Sequence, residues 1–512
     1  MAAKTKTSLM QRFLNIIERG GNALPHPATL FLILALLVLV ASLIGHLLGW
    51  EIIHPATGEI IKTKNLISGD GVHFILEKTV KNFTDFAPLG IVLVAMLGIG
   101  IAESSGLIAV GIRLLVLKAP RKMLTFVLVF AGILSNMASD IGYVLLIPMA
   151  GVIFMAVGRH PIVGMAAAFA GVSGGFSANL FLGTIDPLLA GLSEEAAQII
   201  DPNYTVNPTA NYYFMIVSTF MISTMGTWVT EKIIAPRFGD YKPDINSEEV
   251  KLDRLTSTEK KGLRNATVVF IIFTVLILLG SIPANGILRN EEGSLLHSPL
   301  LRGVVTLLFL IAGSMGVAYG LTVGKFKNDS DIMIGMADSM KTLATYLVLV
   351  FFAAQFVAYF KVSNLGIVLA VNGAETLKAA NLNIYVLMIM FIFFAATINM
   401  LMGSASAKWA ILAPVFIPIF MLMGYSPELS QAVFRIGDSV TNIISPMMSF
   451  FALIIAFFQK YDKDAGIGTI ISTMIPYSII FFFAWTVLLI VWIYFKIPLG
   501  PDSPLFYDGA HL

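Results

Sequence analysis

Asn399-Met-Leu-Met-Gly403-Ser404-Ala-Ser406-Ala-Lys408-Trp409, then an apolar run through Pro414, then Gly437-Asp438-Ser-Val-Thr-Asn442-Ile-Ile-Ser-Pro446: this stretch decides how the chain is read. Long apolar segments flank it, so its Gly, Ser, Lys, Asp and Asn fall where a bilayer core calls for hydrocarbon. A charge at that depth costs about 2.5–3.5 kcal/mol on insertion scales, and irregular backbone survives there only when packed in protein or lining a cavity. The stretch therefore marks a binding site within a membrane protein.

Composition places the rest of the chain in the same class. Its 512 residues are 57% hydrophobic and 12% charged, with a mean hydropathy of +0.84, against roughly 25% charged residues in soluble domains. A net charge of +2 offers no electrostatic footprint for nucleic acid. With no cysteine, disulfides, thiol nucleophiles and thiolate metal sites are excluded. The histidines fall in loops or at helix ends without a His-Glu-x-x-His pattern, so no cofactor is implied beyond a coupling cation, H⁺ or Na⁺. The first apolar run begins near Leu30 and is long enough to span, which argues against a cleavable signal peptide.

Working outward, residues 384–424 read as a re-entrant hairpin with its tip at Gly403 to Lys408, and 429–458 as a broken helix centred on Asp438. An earlier pair matches them. Residues 123–158 are apolar but interrupted at Ser135 to Gly142, with arms too short to span, and 161–192 carry Gly171, Gly174, Gly175, Asn179, Thr184 and Asp186 in their body. Further spans are predicted at about 27–50, 89–112, 212–231, 266–282, 299–320, 342–360 and 470–496, with 51–88 as a polar loop. The result is an all-α integral membrane protein of about nine transmembrane helices plus two opposed hairpins. Its divisions are a cytoplasmic N-terminus (1–26), a first membrane half (27–231), a basic cytoplasmic linker (232–265), a second half (266–497) and a periplasmic tail (498–512). Most of the 33 Lys and Arg fall on the inside in this scheme, as the positive-inside rule requires. The halves echo one another: Ser105-Gly-Leu-Ile-Ala-Val against Ser363-Asn-Leu-Gly-Ile-Val, and prolines thirteen apart at Pro148 and Pro161, then at Pro414 and Pro427. Interrupted segments at matching places in two halves point to a transporter site.

Each motif has a plainer alternative. The small residues around Ser404 and Ser406 free helix-terminal N–H groups for an anion, or simply pack closely. Lys408 can pair a carboxylate and Trp409 can stack on an aromatic ring, or both can anchor at the interface. Asp438 and Asn442 share a helix face, and Asn399 can join them as hard oxygen ligands for Na⁺, or Asp438 can carry a proton. The plainer reading of Asp438 is an ion pair with Arg435, three residues before it. Asp186, near Asn179, is its counterpart in the first half, and Asp140 at the first hairpin tip is either functional or a helix cap. Gly171-Val-Ser173-Gly-Gly175 matches the nucleophile elbow of serine hydrolases, but no His lies at membrane depth to activate Ser173.

Taken together, Leu24-Pro-His-Pro27, Asn82-Phe-Thr-Asp-Phe-Ala-Pro-Leu-Gly90, Val157-Gly-Arg-His-Pro161, Ala178-Asn-Leu180 through Asp186, Gly403 to Trp409 and Arg435-Ile-Gly-Asp438 resemble the AbgT family of p-aminobenzoyl-glutamate transporters. The resemblance implies a homodimer of elevator-type architecture in the bacterial inner membrane. It implies a site using Ser406, Trp409, Asp438, Pro446 and Asp186, with Asn399, Asp438 and Asn442 near a cation. Family members resemble either importers of p-aminobenzoyl-glutamate or proton-driven exporters of p-aminobenzoate and sulfonamides. Ser439 to Met448 is closer to the export branch.

The expectation is a secondary active transporter of a small aromatic organic anion. Substrate is expected at Ser404, Ser406, Lys408, Trp409, Pro446 and Asn179, and the coupling cation at Asp186, Asp438, Asn399 and Asn442. The rivals are an uncoupled channel and an intramembrane serine hydrolase. No GxxxxGK[ST] loop is present, which argues against direct ATP drive.

Overall fold

The computed structural model describes residues 25–53, 58–137, 141–239, 255–296 and 298–509. Asp140, most of the N-terminal segment and the middle of the basic linker lie outside the described residues. Nine helices among the described residues are long and apolar enough to cross a membrane. Seven lie outside the hairpins: Pro27–Leu47, Gly69–Ser104 (interrupted at Asp85 and Phe86), Tyr212–Phe238, Ser257–Ser281, Val304–Val323, Ala344–Val362 and Ile467–Tyr494. The other two, Ile384–Leu401 and Ala405–Leu422, are the arms of the second hairpin.

Two broken segments join the seven spans. The first is Pro161–Phe169, widening into π turns through Gly174, then an unwound stretch, then Ile185–Ala197. The second is Pro427–Asn442, an unwound stretch, then Phe451–Gln459. Pro161 and Pro427 each open their helix at the first turn, where a missing N–H does no harm. This matched pair of prolines is thus a pair of matched helix starts, whereas Pro414 lies inside the helix Ala405–Leu422.

The inverted repeat extends to hydrogen bonds. Ser105 donates to Ala102 O at 2.8 Å and accepts from Leu107 N at 3.2 Å; Ser363 donates to Phe360 O at 3.2 Å and accepts from Leu365 N at 3.3 Å. Between serine and leucine sits a left-handed residue, Gly106 (φ 86°) or Asn364 (φ 63°), the conformation that Gly and Asn tolerate best. Each break launches a short helix, Leu107–Leu117 or Leu365–Ala379, that leads to its hairpin.

Two expectations are corrected here. The second span ends at Ser104 rather than 112, because Gly106 turns the chain. The polar stretch before Pro88 is no plain loop: Gly69–Thr84 is a helix capped by Ser68, and Val72, Leu76 and Val80 recur along it at the helical period.

The hairpins enter from opposite faces. At the first hairpin's base Arg159 bonds Thr125 and Glu231, and Gly151 of its second arm lies against Tyr461, just past the second broken segment. At the second hairpin's base, Gly424 and Ser426 bond the C-terminal tail at Tyr507 and Leu505, and Tyr204, just past the first broken segment, bonds Glu428. The second hairpin's arms are 18 residues each, about 27 Å long, so length alone does not mark them as re-entrant. Their tip does, because it abuts the unwound centre of the second broken segment. A Cβ on Gly403 would lie 2.3 Å from Met447 O. Gly403→Ala is expected to destabilise the protein by about 1–3 kcal/mol through overpacking and to impair transport. Gly90→Ala, with nothing within 4 Å of its added Cβ, is the neutral control in thermal unfolding.

Candidate functional site

The second hairpin's inner arm begins at Ala405, capped by Ser404, whose hydroxyl accepts from Ala407 N at 3.4 Å and lies 3.2 Å from Ser406 Oγ. One turn later Lys408 and Trp409 leave the arm, and both are fully buried. The Lys408 ammonium pairs with the Asp438 carboxylate and donates to Asn399 Oδ1. Asn399 Nδ2 lies 2.6 Å from Asp438 O, 2.9 Å from Thr441 Oγ1 and 2.8 Å from Asn442 Oδ1. Asn442 donates back to Asp438 Oδ2 at 3.4 Å, and Ser445 donates to Asn399 O at 3.2 Å. Asn399, Asp438 and Asn442 are therefore gathered as a cation site requires. Within this cluster the Lys408 ammonium engages Asp438 Oδ1 and Asn399 Oδ1, while Asn442 Oδ1 faces the Asn399 amide rather than the ammonium.

Arg435 does not pair with Asp438. It crosses to the first half and pairs with Asp186 Oδ1 at 2.7 Å, both side chains about 95% buried or more. Asp186 sits in the first turn of Ile185–Ala197, and its Oδ2 accepts from Gly183 N at 2.7 Å. Carboxylates belong at a helix N-terminus, where free N–H groups and the dipole favour negative charge. Two buried ion pairs thus hold the site, one within the second half and one between halves. Removing one member of such a pair strands the other and costs about 3–5 kcal/mol.

The broken centres cross beside these pairs. Ser177 N donates to Ser439 Oγ at 3.1 Å, Ser173 Oγ meets Met448 Sδ at 3.0 Å, and Tyr143 of the first hairpin stacks on Phe450 at 4.6 Å. Ser173 thus bonds a thioether, not a base, as a nucleophile would require. Pro446 and Met447 lie half-buried in the unwound stretch, close to the half-buried tip residues Gly403 to Ser406.

Two expected ligand contacts are turned inward. Asn179 accepts from Leu180 N at 2.8 Å and Phe181 N at 3.2 Å and donates to Ile133 O at 3.4 Å, so its amide shapes the unwound turn against the first hairpin. Trp409 stacks on Phe434 at 4.5 Å, and its indole N–H donates to Ser193 Oγ at 2.9 Å, itself bonded to Gln431. Ser193 and Gln431 gave no sequence signal, being 216 and 22 positions from Trp409. Trp409→Phe keeps the stack and loses the bond. It is expected to cost about 1 kcal/mol, whereas Trp409→Ala costs about 3–5 kcal/mol; denaturant unfolding of the two variants separates ring packing from the hydrogen bond.

Opposed hairpins, two broken helices and ion pairs at membrane depth define a multi-pass membrane protein with a candidate site at the crossing of two inverted halves. The chain belongs to the family described as "AbgT putative transporter family", whose model matches residues 12–507. It is 38% identical over 486 residues to the p-aminobenzoyl-glutamate transport protein of Escherichia coli (strain K12), covering 95% of each chain. Its fold is that of the Neisseria gonorrhoeae MtrF structure, described with a class of antimetabolite efflux pumps (TM-score 0.91, 51% identity, 96% of this chain and 100% of that one). It also matches the crystal structure of the Alcanivorax borkumensis YdaH transporter, described as unusual in topology (TM-score 0.88, 45% identity, 93% and 100%). The protein is a transporter and not an enzyme.

Proposed function

We propose that the chain is a proton-coupled secondary transporter that exports p-aminobenzoyl-glutamate, p-aminobenzoate and sulfonamide-type compounds across the bacterial inner membrane. The observation that carries the coupling is the Lys408 ammonium seated on Asp438 and Asn399, two of the three residues expected at the cation. With an internal cation in that place, the exchangeable positive charge is a proton on Asp438. Protonation there removes the counter-charge of Lys408, which sits one turn from the hairpin tip, and so bears directly on Ser404 and Ser406. The substrate's acidic group would meet the N-terminus of the arm at Ser404 and Ser406, and its ring would lie against Pro446 and Met447. The basic clusters mark the cytoplasmic side, which puts the N-terminus inside and the C-terminus outside. The family resemblance supports a homodimer.

Substrate class is tested by counterflow in proteoliposomes. Unlabelled p-aminobenzoate and a sulfonamide should compete with labelled p-aminobenzoyl-glutamate, while benzoate, lacking the 4-amino group, should not. Absence of counterflow with all of these ligands would remove the proposed substrate class.

A further inference from the structure

Beside Arg435 of the Arg435–Asp186 pair lies a small cavity, in whose lining Arg435 is the one charged residue. It is bordered by Ser177, Asn211, Phe214, Met215, Arg435 and Trp485, and about 10 Å³ of it is open to the centre of a water molecule. That is room for one water. Asn211 is 3% exposed and Arg435 4%, yet neither Asn211 Nδ2, Asn211 Oδ1 nor Arg435 Nε has a hydrogen-bond partner within the protein. Buried polar groups are nearly always satisfied, by protein or by ordered water. Asn211 stands at the N-cap of the span that starts at Tyr212, but its side chain makes no capping bond. Its amide is therefore not committed to the helix end.

We propose that Asn211, Ser177 and Arg435 bind one structural water in this cavity, and that the water positions the Arg435 guanidinium for Asp186. Three polar neighbours match the usual coordination of a buried water: it accepts from Arg435 Nε–H and exchanges hydrogen bonds with the Asn211 amide and the Ser177 hydroxyl. The opposite wall, Phe214, Met215 and Trp485, is apolar and holds the water against the polar side. A guanidinium solvated on its Nε edge stays satisfied when its bond to Asp186 loosens. On the proton-coupled reading above, on which this functional part rests, the water thus lowers the cost of opening the pair during transport.

The test is hydroxyl-radical footprinting of the full-length protein by X-ray radiolysis, in which a water held against a side chain labels it despite burial. Met215 and Trp485 line the cavity; Met474 and Trp409, as deeply buried, do not. Met215 should label several-fold faster than Met474, and Trp485 several-fold faster than Trp409, because each touches the internal water and its control does not. Equal labelling in the wild type overturns the proposal without recourse to any variant. In Asn211→Leu the labelling of Met215 and Trp485 should fall to control level, and unchanged labelling would refute Asn211 as a ligand of the water. Asn211→Leu should also shift the pH profile of transport, with Asn211→Ser recovering the wild-type profile; an unmoved profile removes the positioning role. Should the wild type show no proton-driven flux, the coupling reading fails while the labelling result still decides the water site.

Discussion

Asp438→Ala abolishes coupled transport and destabilises the protein by about 3–5 kcal/mol, since Lys408 is left as an uncompensated buried charge. Lys408→Met strands Asp438 and carries a similar cost. The informative variant is the double substitution Lys408→Met/Asp438→Leu. Replacing a whole buried pair with apolar residues of similar volume is often neutral or stabilising by about 1–4 kcal/mol, so thermal unfolding of the double variant should return close to wild type. Its flux should stay at background, because the fold is repaired but no group is left to carry the proton. If Asp438→Ala, folded and inserted, transports as wild type does, the carrier role is gone. If the double variant recovers flux together with stability, the pair is structural only.

Asp186→Ala is expected to be the next most damaging change. It strands Arg435, again at about 3–5 kcal/mol, and also removes the acceptor for Gly183 N at the end of the unwound stretch. Asp186→Asn separates the two losses: the amide oxygen still caps Gly183 N, while the charge is gone. Its stability should fall by less than that of Asp186→Ala, and its flux should fall as far. The pair spans both halves, so Asp186→Ala should also loosen their crossing, visible as faster hydrogen exchange at Ser177, whose N–H bonds Ser439. Slow exchange there would show that the crossing holds without the pair.

Sequence reasoning reached the hairpins, the broken helices and their inverted pairing because each leaves a local mark. Gly403, Pro427 and the serines stand out against apolar surroundings, and bilayer thickness converts run length into topology. Gly69–Thr84 was missed because Asp70, Glu77, Lys78 and Lys81 obscure the apolar residues Val72, Phe74, Ile75, Leu76, Val80 and Phe83 that run along it. At the site, residue type sufficed to bring Asn399, Asp438 and Asn442 together, since all lie within one half and within reach of one hairpin. Pairing did not follow. Arg435 is three positions from Asp438 and bonds Asp186 instead, nearly 250 positions away, because the crossing of the broken centres places the halves side by side. Lys408 was read toward substrate for a different reason: nothing in the local sequence says that its carboxylate partner is thirty residues on in the same half. Trp409 could not be read as buried, since Ser193 belongs to the other half.

The most direct test of the account is uphill movement of labelled p-aminobenzoate in proteoliposomes under a pH gradient alone, with Na⁺ absent, compared with a Na⁺ gradient alone at uniform pH. The Lys408 ammonium at the cation position predicts accumulation with the first and none with the second. Accumulation driven by Na⁺ alone would contradict the account, because the oxygens of Asn399 and Asp438 would then have to exchange Lys408 for a metal ion.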